Sequence, residues 1–352
     1  MSPAFWKGKR VFVTGHTGFK GGWLCGWLLD AGADVSGYAL ASTTDRTILT
    51  DAGLDSELAS TIGDVRDRTR LDRAMREARP DVVMHLAAQP LVGRSYEDPV
   101  ETFDVNVTGT AHVLDAIRTL PSVRAVVVVT SDKCYDQRQP ERRHAEGDPL
   151  GGGDPYSASK ACAEFVTASY RGSYFAGGST GVATARAGNV IGGGDEAKDR
   201  LVPDLLRAFE RGQPARIRRP DAVRPWQHVV DPVAGYVTLA QALHEDPSRF
   251  AGAWNFGPPP DHELQVAAIA DMAAAAWGRG AAWIKAPGSH PPEREVLRLD
   301  SAKAARELDW RARVPLDAAV AATIEWYRER RAGADVRALL RRGFASLSQA
   351  VR

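Results

Sequence analysis

Tyr156 and Lys160 stand four residues apart in the run Tyr156-Ser-Ala-Ser-Lys160. On a helix that spacing puts both side chains on one face. An ammonium beside a phenol favours the phenolate and lowers its pKa, which makes Tyr156 a general base toward an alcohol or sugar hydroxyl. Taken alone, the pair reads equally well as two surface side chains, so its neighbours in the chain carry the argument. Thr130-Ser131-Asp132-Lys133 closes the apolar run Arg124–Thr130, a strand candidate. Ser131 can hydrogen-bond the hydroxyl that Tyr156 deprotonates, while Asp132 and Lys133 offer an acid and a base. Lys133 serves as a base only if its pKa falls well below roughly 10.4. Lys160 would push it down; an ion pair with Asp132 would push it up.

A second constellation opens the chain. Arg10–Thr14 (RVFVT) runs into Gly15-x-x-Gly18-x-x-Gly21, and then Trp23, Leu24, Trp27 and Leu28 recur at helical spacing. Strand, glycine turn and helix form a dinucleotide-binding arrangement. Gly15 suits the tight turn, Gly18 lets the backbone approach a pyrophosphate, and Gly21 allows close helix–strand packing. The helix N-terminus presents N–H groups to the anion. A plain βα turn without a ligand is the competing reading. At the end of the second strand candidate, Asp34–Leu40, the residues are Gly37-Tyr38-Ala39-Leu40, with no carboxylate for the ribose hydroxyls. The nearest arginine is Arg46, so a 2′-phosphate has no obvious partner, and NAD is expected over NADP. Asp64-Val65 offers a contact to adenine.

These residues need a scaffold, and the chain supplies a repeating one. Asp34–Leu40, Asp81–Ala87, Arg124–Thr130 and Gly181–Ala187 read as strands, the middle two as near-continuous apolar runs of the kind buried on both faces. Leu71–Arg79, Val100–Leu120 and Tyr156–Phe175 read as helices between them. The fold class is therefore α/β, a doubly wound, Rossmann-like parallel sheet, with reactive groups at the carboxyl ends of its strands. Residues 1–189 form the cofactor-binding unit, and the chain is expected to return to it at 228–257. Residues 190–227 and 258–330 form a smaller, mostly helical substrate-binding region, and 331–352 a tail. Within that tail Val336–Ala350 reads as an amphipathic helix with a basic face.

Composition narrows the partners. The chain has 352 residues, 44% hydrophobic and 25% charged, with a net charge of +1. That is a globular composition, with no reason to expect nucleic acid or a membrane surface as partner. Cys25, Cys134 and Cys162 are few, odd in number and scattered, which suits a reducing cytoplasm and no metal site. The opening MSPAFWKGKR lacks the apolar core of a signal peptide. No apolar run approaches the roughly 20 residues of a membrane span. Several residues take plain readings. His85 is a core histidine, Trp23 and Trp27 are packing residues, and Cys134 is not a nucleophile. Arg207, Arg211 and Arg216 are a solvated face, and Arg138–His144 is an exposed loop.

The motifs together resemble an extended short-chain dehydrogenase/reductase: TGHTGFKG at Thr14–Gly21, GDVRD at Gly63–Asp67, LAAQ at Leu86–Gln89, TSDK at Thr130–Lys133 and YSASK at Tyr156–Lys160. Longer runs are similar to the CDP-glucose 4,6-dehydratases, notably Ala87–Thr110, Asp148–Lys160, RAGNVIGGGD at Arg186–Asp195 and RPWQHV at Arg224–Val229. The resemblance implies an NAD site at Gly15, Thr17, Gly18, Phe19, Gly21, Asp64, Val65, Leu86, Ala87, Ala88, Gln89, Asn106 and Thr130, together with Tyr156 and Lys160. It implies a nucleotide-sugar site at Ser131, Asn189, Arg200, Leu201, Arg224 and Asn255, with Arg298 a further candidate. It also implies a homodimer through the helices Val100–Leu120 and Tyr156–Phe175.

The implied reaction is an internal redox cycle. C4 is oxidised, water is lost across C5 and C6, and hydride returns to C6, with Asp132 as acid and Lys133 as base. Two departures stand out. The dTDP-glucose enzymes carry Asp-Glu where this chain has Asp132-Lys133, and Gly93 stands where the CDP-glucose family would have a basic residue. A nucleotide-sugar 4-epimerase, or a dehydratase of another nucleotide sugar, is the nearest rival. A non-catalytic NAD-binding protein is disfavoured by the intact Tyr156 and Lys160.

Overall fold

The computed structural model describes residues 2–349, except 43, 45, 137, 139–141, 279 and 289–293. Gln139, Pro140 and Glu141 of the expected exposed loop, and Ala350 of the expected tail helix, therefore lie outside the described residues.

Seven strands form one parallel sheet: β1 (Arg10–Thr14), β2 (Asp34–Ala39), β3 (Ala59–Ile62), β4 (Val82–His85), β5 (Ala125–Val129), β6 (Gly181–Ala187) and, after a long excursion, Gly252–Phe256. The excursion carries β7 (Asn189–Ile191), β8 (Ala215–Ile217) and β9 (Val223–His228), so the returning strand is β10. The spatial order is β10-β6-β5-β4-β1-β2-β3. The order reverses between β1 and β4, which opens a crevice at their carboxyl ends.

The apolar runs are buried on both faces because each strand alternates between two cores. In β1, Val11 and Val13 join one core while Phe12 joins the other; in β5, Ala125 and Val127 divide from Val126 and Val128 in the same way. The helix Phe19–Asp30 covers the first face, with Trp23 pinned by a bond from its Nε1 to the Gly193 carbonyl at 2.9 Å. The helices Arg68–Ala78 and Gly109–Ile117 pack on the second.

One expectation needs correction and two gain detail. The expected helix Val100–Leu120 is not uniform: Pro99–Phe103 and Gly109–Ile117 are joined by a π-helical turn, Asp104–Thr108, and the helix ends at Ile117. The rest of the chain outside the large sheet is mostly helical, as expected, and adds two small sheets: β7, β9 and β11 (Glu263–Gln265) form one, and β8 with β12 (Trp283–Lys285) another. The tail helix forms as expected, over Val336–Gln349, and packs on the fold. Leu339, Leu340 and Leu347 are buried in the main core, and its basic face is spent on ion pairs of Arg337 and Arg341 with Asp30. No described helix is long and apolar enough to cross a membrane.

Candidate active site

The crevice is a cavity of about 530 Å³, within the range of small-molecule sites. Its floor is the turn after β1. Gly15 has φ +77°, and a Cβ there would lie 2.7 Å from the Ala87 nitrogen. A Cβ on Gly21 would lie 2.1 Å from the Gly15 carbonyl oxygen. Only bare backbone closes this turn, and it leaves a cradle at a helix N-terminus that suits a pyrophosphate. Thr14 locks the turn to β4. Its Oγ1 accepts from the Leu86 and Ala87 amides at 3.2 and 3.1 Å and pairs with His85 Nδ1 at 2.7 Å. His85 Nε2 pairs in turn with Thr110 Oγ1 at 3.1 Å, so His85 is a satisfied core histidine as expected. Burial pushes its pKa down to about 3.

At the end expected to take adenosine, Thr17, Asp64 and Val65 line the cavity. The Asp64 carboxylate is already committed to Arg66, whose guanidinium meets it at 2.6 Å and holds it below the usual carboxylate range. The last residues of β2 add no acid: Ala39 and Leu40 form the wall.

Across the cavity, β5 delivers the reactive run. Ser131 caps a short 3-10 turn, Asp132–Cys134, with its Oγ accepting from the Lys133 amide at 3.2 Å. That turn aims Ser131, Asp132 and Lys133 into the cavity. Tyr156 and Lys160 reach it because Asp154-Pro155 starts their helix at the right residue. Asp154 is the N-cap, accepting from the Ser157 amide at 2.9 Å, and Pro155 sits at the first position, where it needs no partner. Lys160 Nζ points to the Val129 carbonyl at 3.4 Å, and burial lowers its pKa to about 8.

The expected lowering of the Tyr156 phenol is not found. Burial raises it to about 12, and the Ser131 hydroxyl pulls it back only in part. Asp132 is raised as well, chiefly by burial, against the opposing pull of Lys133, Ser131, Arg224 and Lys20. Burial thus shifts both groups toward their protonated forms relative to the free side chains.

The side expected to take substrate is built from the excursion. Asn189, Arg200, Leu201 and Arg224 line the cavity, as do the cofactor-side positions Gly18, Phe19, Leu86, Ala87, Ala88 and Thr130. Arg200 is held by Asp195 at 2.9 Å. Arg224 is buried and ties β9 to a neighbouring segment, donating to the carbonyls of Val223, Glu295 and Arg294.

Four expected contacts lie elsewhere. Gln89 and Asn106 bond each other behind the wall: the Gln89 amide donates to Asn106 Oδ1 at 2.8 Å, and Asn106 Nδ2 donates to Ser159 Oγ at 2.9 Å. Asn255 is fully buried between Tyr135, His144 and Asp300, and every polar group of its side chain is used there. Arg298 faces Glu263 at 3.2 Å. These four are scaffolding around the crevice rather than its lining. Part of the expected exposed loop is also tied down, with His144 buried and Arg143 paired to Glu263 at 2.7 Å.

Sequence reasoning missed other residues. Arg216, assigned to a solvated face, is exposed but lines the cavity, as do Arg218 and Arg219. Gly93 lines it too, near Asp199. The clearest omission is Lys20, whose one available signal was its place inside the glycine motif.

A model of the family described as GDP-mannose 4,6 dehydratase matches residues 12–323. The chain belongs to that family, an extended short-chain dehydrogenase/reductase group. It is 46% identical over 329 residues, 92% of each chain, to the CDP-glucose 4,6-dehydratase of Salmonella typhimurium. Among solved structures it superposes on a dTDP-glucose 4,6-dehydratase from Streptomyces venezuelae with NAD and TYD bound. There the TM-score is 0.79 at 25% identity, covering 93% of this chain and 99% of that one. It also superposes on the UDP-glucose 4-epimerase of Thermus thermophilus in complex with NAD, with TM-score 0.78, 26% identity and coverage of 91% and 99%.

Proposed function

We propose that this chain is an NAD-dependent CDP-glucose 4,6-dehydratase, a hydro-lyase converting CDP-D-glucose to CDP-4-keto-6-deoxy-D-glucose. The observation that carries the reading is the placement of Asp132 and Lys133 in one cavity with Tyr156 and Lys160. An epimerase needs only the second pair. The 46% identity to a CDP-glucose enzyme supports the choice of nucleotide.

The Gly15–Gly21 cradle fits a dinucleotide pyrophosphate, and bound NAD supplies a hydride acceptor that returns what it takes. The chain's residues do the rest. Tyr156 removes the C4 hydroxyl proton, with Ser131 bonded to the same oxygen and Lys160 supplying positive charge. The C4 ketone acidifies C5–H, and Lys133 takes that proton. Asp132 gives its proton to the C6 oxygen as the C6–O bond breaks, and water leaves. Arg200 and the cavity-lining Arg216, Arg218 and Arg219 suit the substrate's diphosphate.

The same reading divides the chain as 1–189 with 228–257 for cofactor, and 190–227 with 258–330 for substrate. It places the enzyme in the cytoplasm as a homodimer. Val100, Phe103 and Phe165 are exposed on the helices expected to pair, which supports a partner there. A panel of CDP-, dTDP-, GDP- and UDP-glucose tests the assignment. CDP-glucose should give a 4-keto sugar, detected by its absorbance in alkali; conversion to a galactose nucleotide without that absorbance would overturn it.

A further inference from the structure

Lys20 occupies the second position of the helix Phe19–Asp30, between Gly18 and Gly21. Its side chain enters the cavity that holds Asp132, Lys160 and Arg200. It makes no hydrogen bond or ion pair with any described residue. Among the charges that act most on it, Arg200 and Lys160 repel its ammonium, while Asp132 and Asp195 attract it.

The two acids differ. Asp195 is already held by Arg200 at 2.9 Å. Asp132 is 4% exposed, and its Oδ1 accepts from Ser131 Oγ at 3.0 Å. Its Oδ2 is buried without a hydrogen-bond partner. Such an oxygen is costly, the more so once the carboxyl ionises. Other groups bear on Asp132 too. Lys133 and Cys134 share its turn, Arg224 approaches from β9, and Tyr156 and Tyr236 from flanking helices. Arg224 is engaged with three backbone carbonyls. Lys133 is assigned to C5. Lys20 is the cation left with no other task.

We propose that Lys20 is a positioning residue for the elimination step, acting through Asp132 by balancing the carboxylate left after proton transfer to the C6 oxygen. This rests on the functional reading above, in which Asp132 is the acid. The step balances: the Asp132 proton goes to the C6 oxygen, the C6–O bond breaks, water departs, and Asp132 is left anionic opposite an ammonium. The C5 proton stays on Lys133. The charges that act most on Tyr156 are Asp132, Arg200 and Asp154, so C4 oxidation should be largely independent of Lys20.

Lys20→Gln and Lys20→Arg test this in two ways. In the ligand-free protein, the Asp132 carboxyl band is identified by infrared difference against Asp132→Asn and followed with pH. Removing a cation disfavours the carboxylate, so K20Q should titrate at higher pH than wild type and K20R close to wild type. With CDP-glucose, K20Q should lose about tenfold to a hundredfold in kcat. Its high-pH fall in kcat should move upward, and reduced nicotinamide should accumulate because oxidation outruns elimination. Unchanged Asp132 titration in K20Q, or K20R as impaired as K20Q, overturns the proposal. If wild type dehydrates no sugar nucleotide, the elimination role falls with the functional reading, while the infrared titration still decides the coupling of the two side chains.

Discussion

Two carboxyl groups lie just past the end of β5, both 4% exposed, and they are wired in opposite ways. Glu164, on the helix that carries Tyr156 and Lys160, has every need met. Thr130 Oγ1 donates to it at 2.5 Å, Thr184 Oγ1 at 2.7 Å and the Arg186 guanidinium at 2.7 Å. Arg186 in turn bonds Tyr135, whose hydroxyl reaches Asn255 at 2.7 Å. This network runs beneath the crevice and holds β5, β6 and β10 to one helix. Asp132 keeps one oxygen unpaired at the cavity wall. Equal burial with opposite bonding separates a charge that maintains the fold from one held ready to change its protonation state.

The contrast breaks first at the reactive side. Asp132→Asn and Lys133→Met should each lower kcat by about 10²–10⁴-fold. K133M should also fail to exchange the C5 hydrogen with solvent deuterium. D132N should unfold at about the same denaturant concentration as wild type, since it exchanges one half-paired buried polar group for another of the same shape. A marked loss of stability in D132N would erase the distinction between the two acids. On the structural side, Glu164→Gln leaves Arg186 as a buried charge without its counter-ion. It should cost about 3–5 kcal/mol in a urea titration. The surviving folded fraction should keep most of its activity.

A third test uses pH. Burial holds His16 and His228 near 4 and His85 near 3 in the fold, against an ordinary value of 6.5. The unfolded chain therefore binds more protons between those values. Stability from these groups is full above about 6.5 and is lost as pH falls toward 4 and below. Melting temperatures should decline over that window, and His85→Gln should flatten the lower part of the decline. The smallest effect belongs to Asp154→Ala, which removes an N-cap and should cost about 1 kcal/mol in the same urea titration.

Most of the sheet was legible because its inner strands are apolar runs of useful length; β3 (Ala59–Ile62) was not, being a four-residue edge strand with mostly exposed side chains. Nor were the shorter elements. Asn189–Ile191, Ala215–Ile217 and Trp283–Lys285 are three residues each, too few for a period of two to declare itself. The reacting run Ser131–Lys133 and the pair Tyr156 and Lys160 were found because one strand end and one helix start fix them locally. Gln89, Asn106 and Asn255 were misplaced for the opposite reason. A buried amide looks the same in sequence whether it faces a ligand or a neighbouring strand, and only the packing decides. Lys20 was hidden by its motif, where the glycines drew the reading and the charge between them did not.

The central claim is that one site oxidises C4, eliminates water and returns the hydride to C6. CDP-glucose carrying deuterium at C4, turned over in ordinary water, tests it most directly by following where the label goes. The expected product is CDP-4-keto-6-deoxyglucose with deuterium on C6 and a solvent hydrogen at C5. A product that keeps deuterium at C4, as epimerisation would give, or one that loses it to solvent, would contradict it.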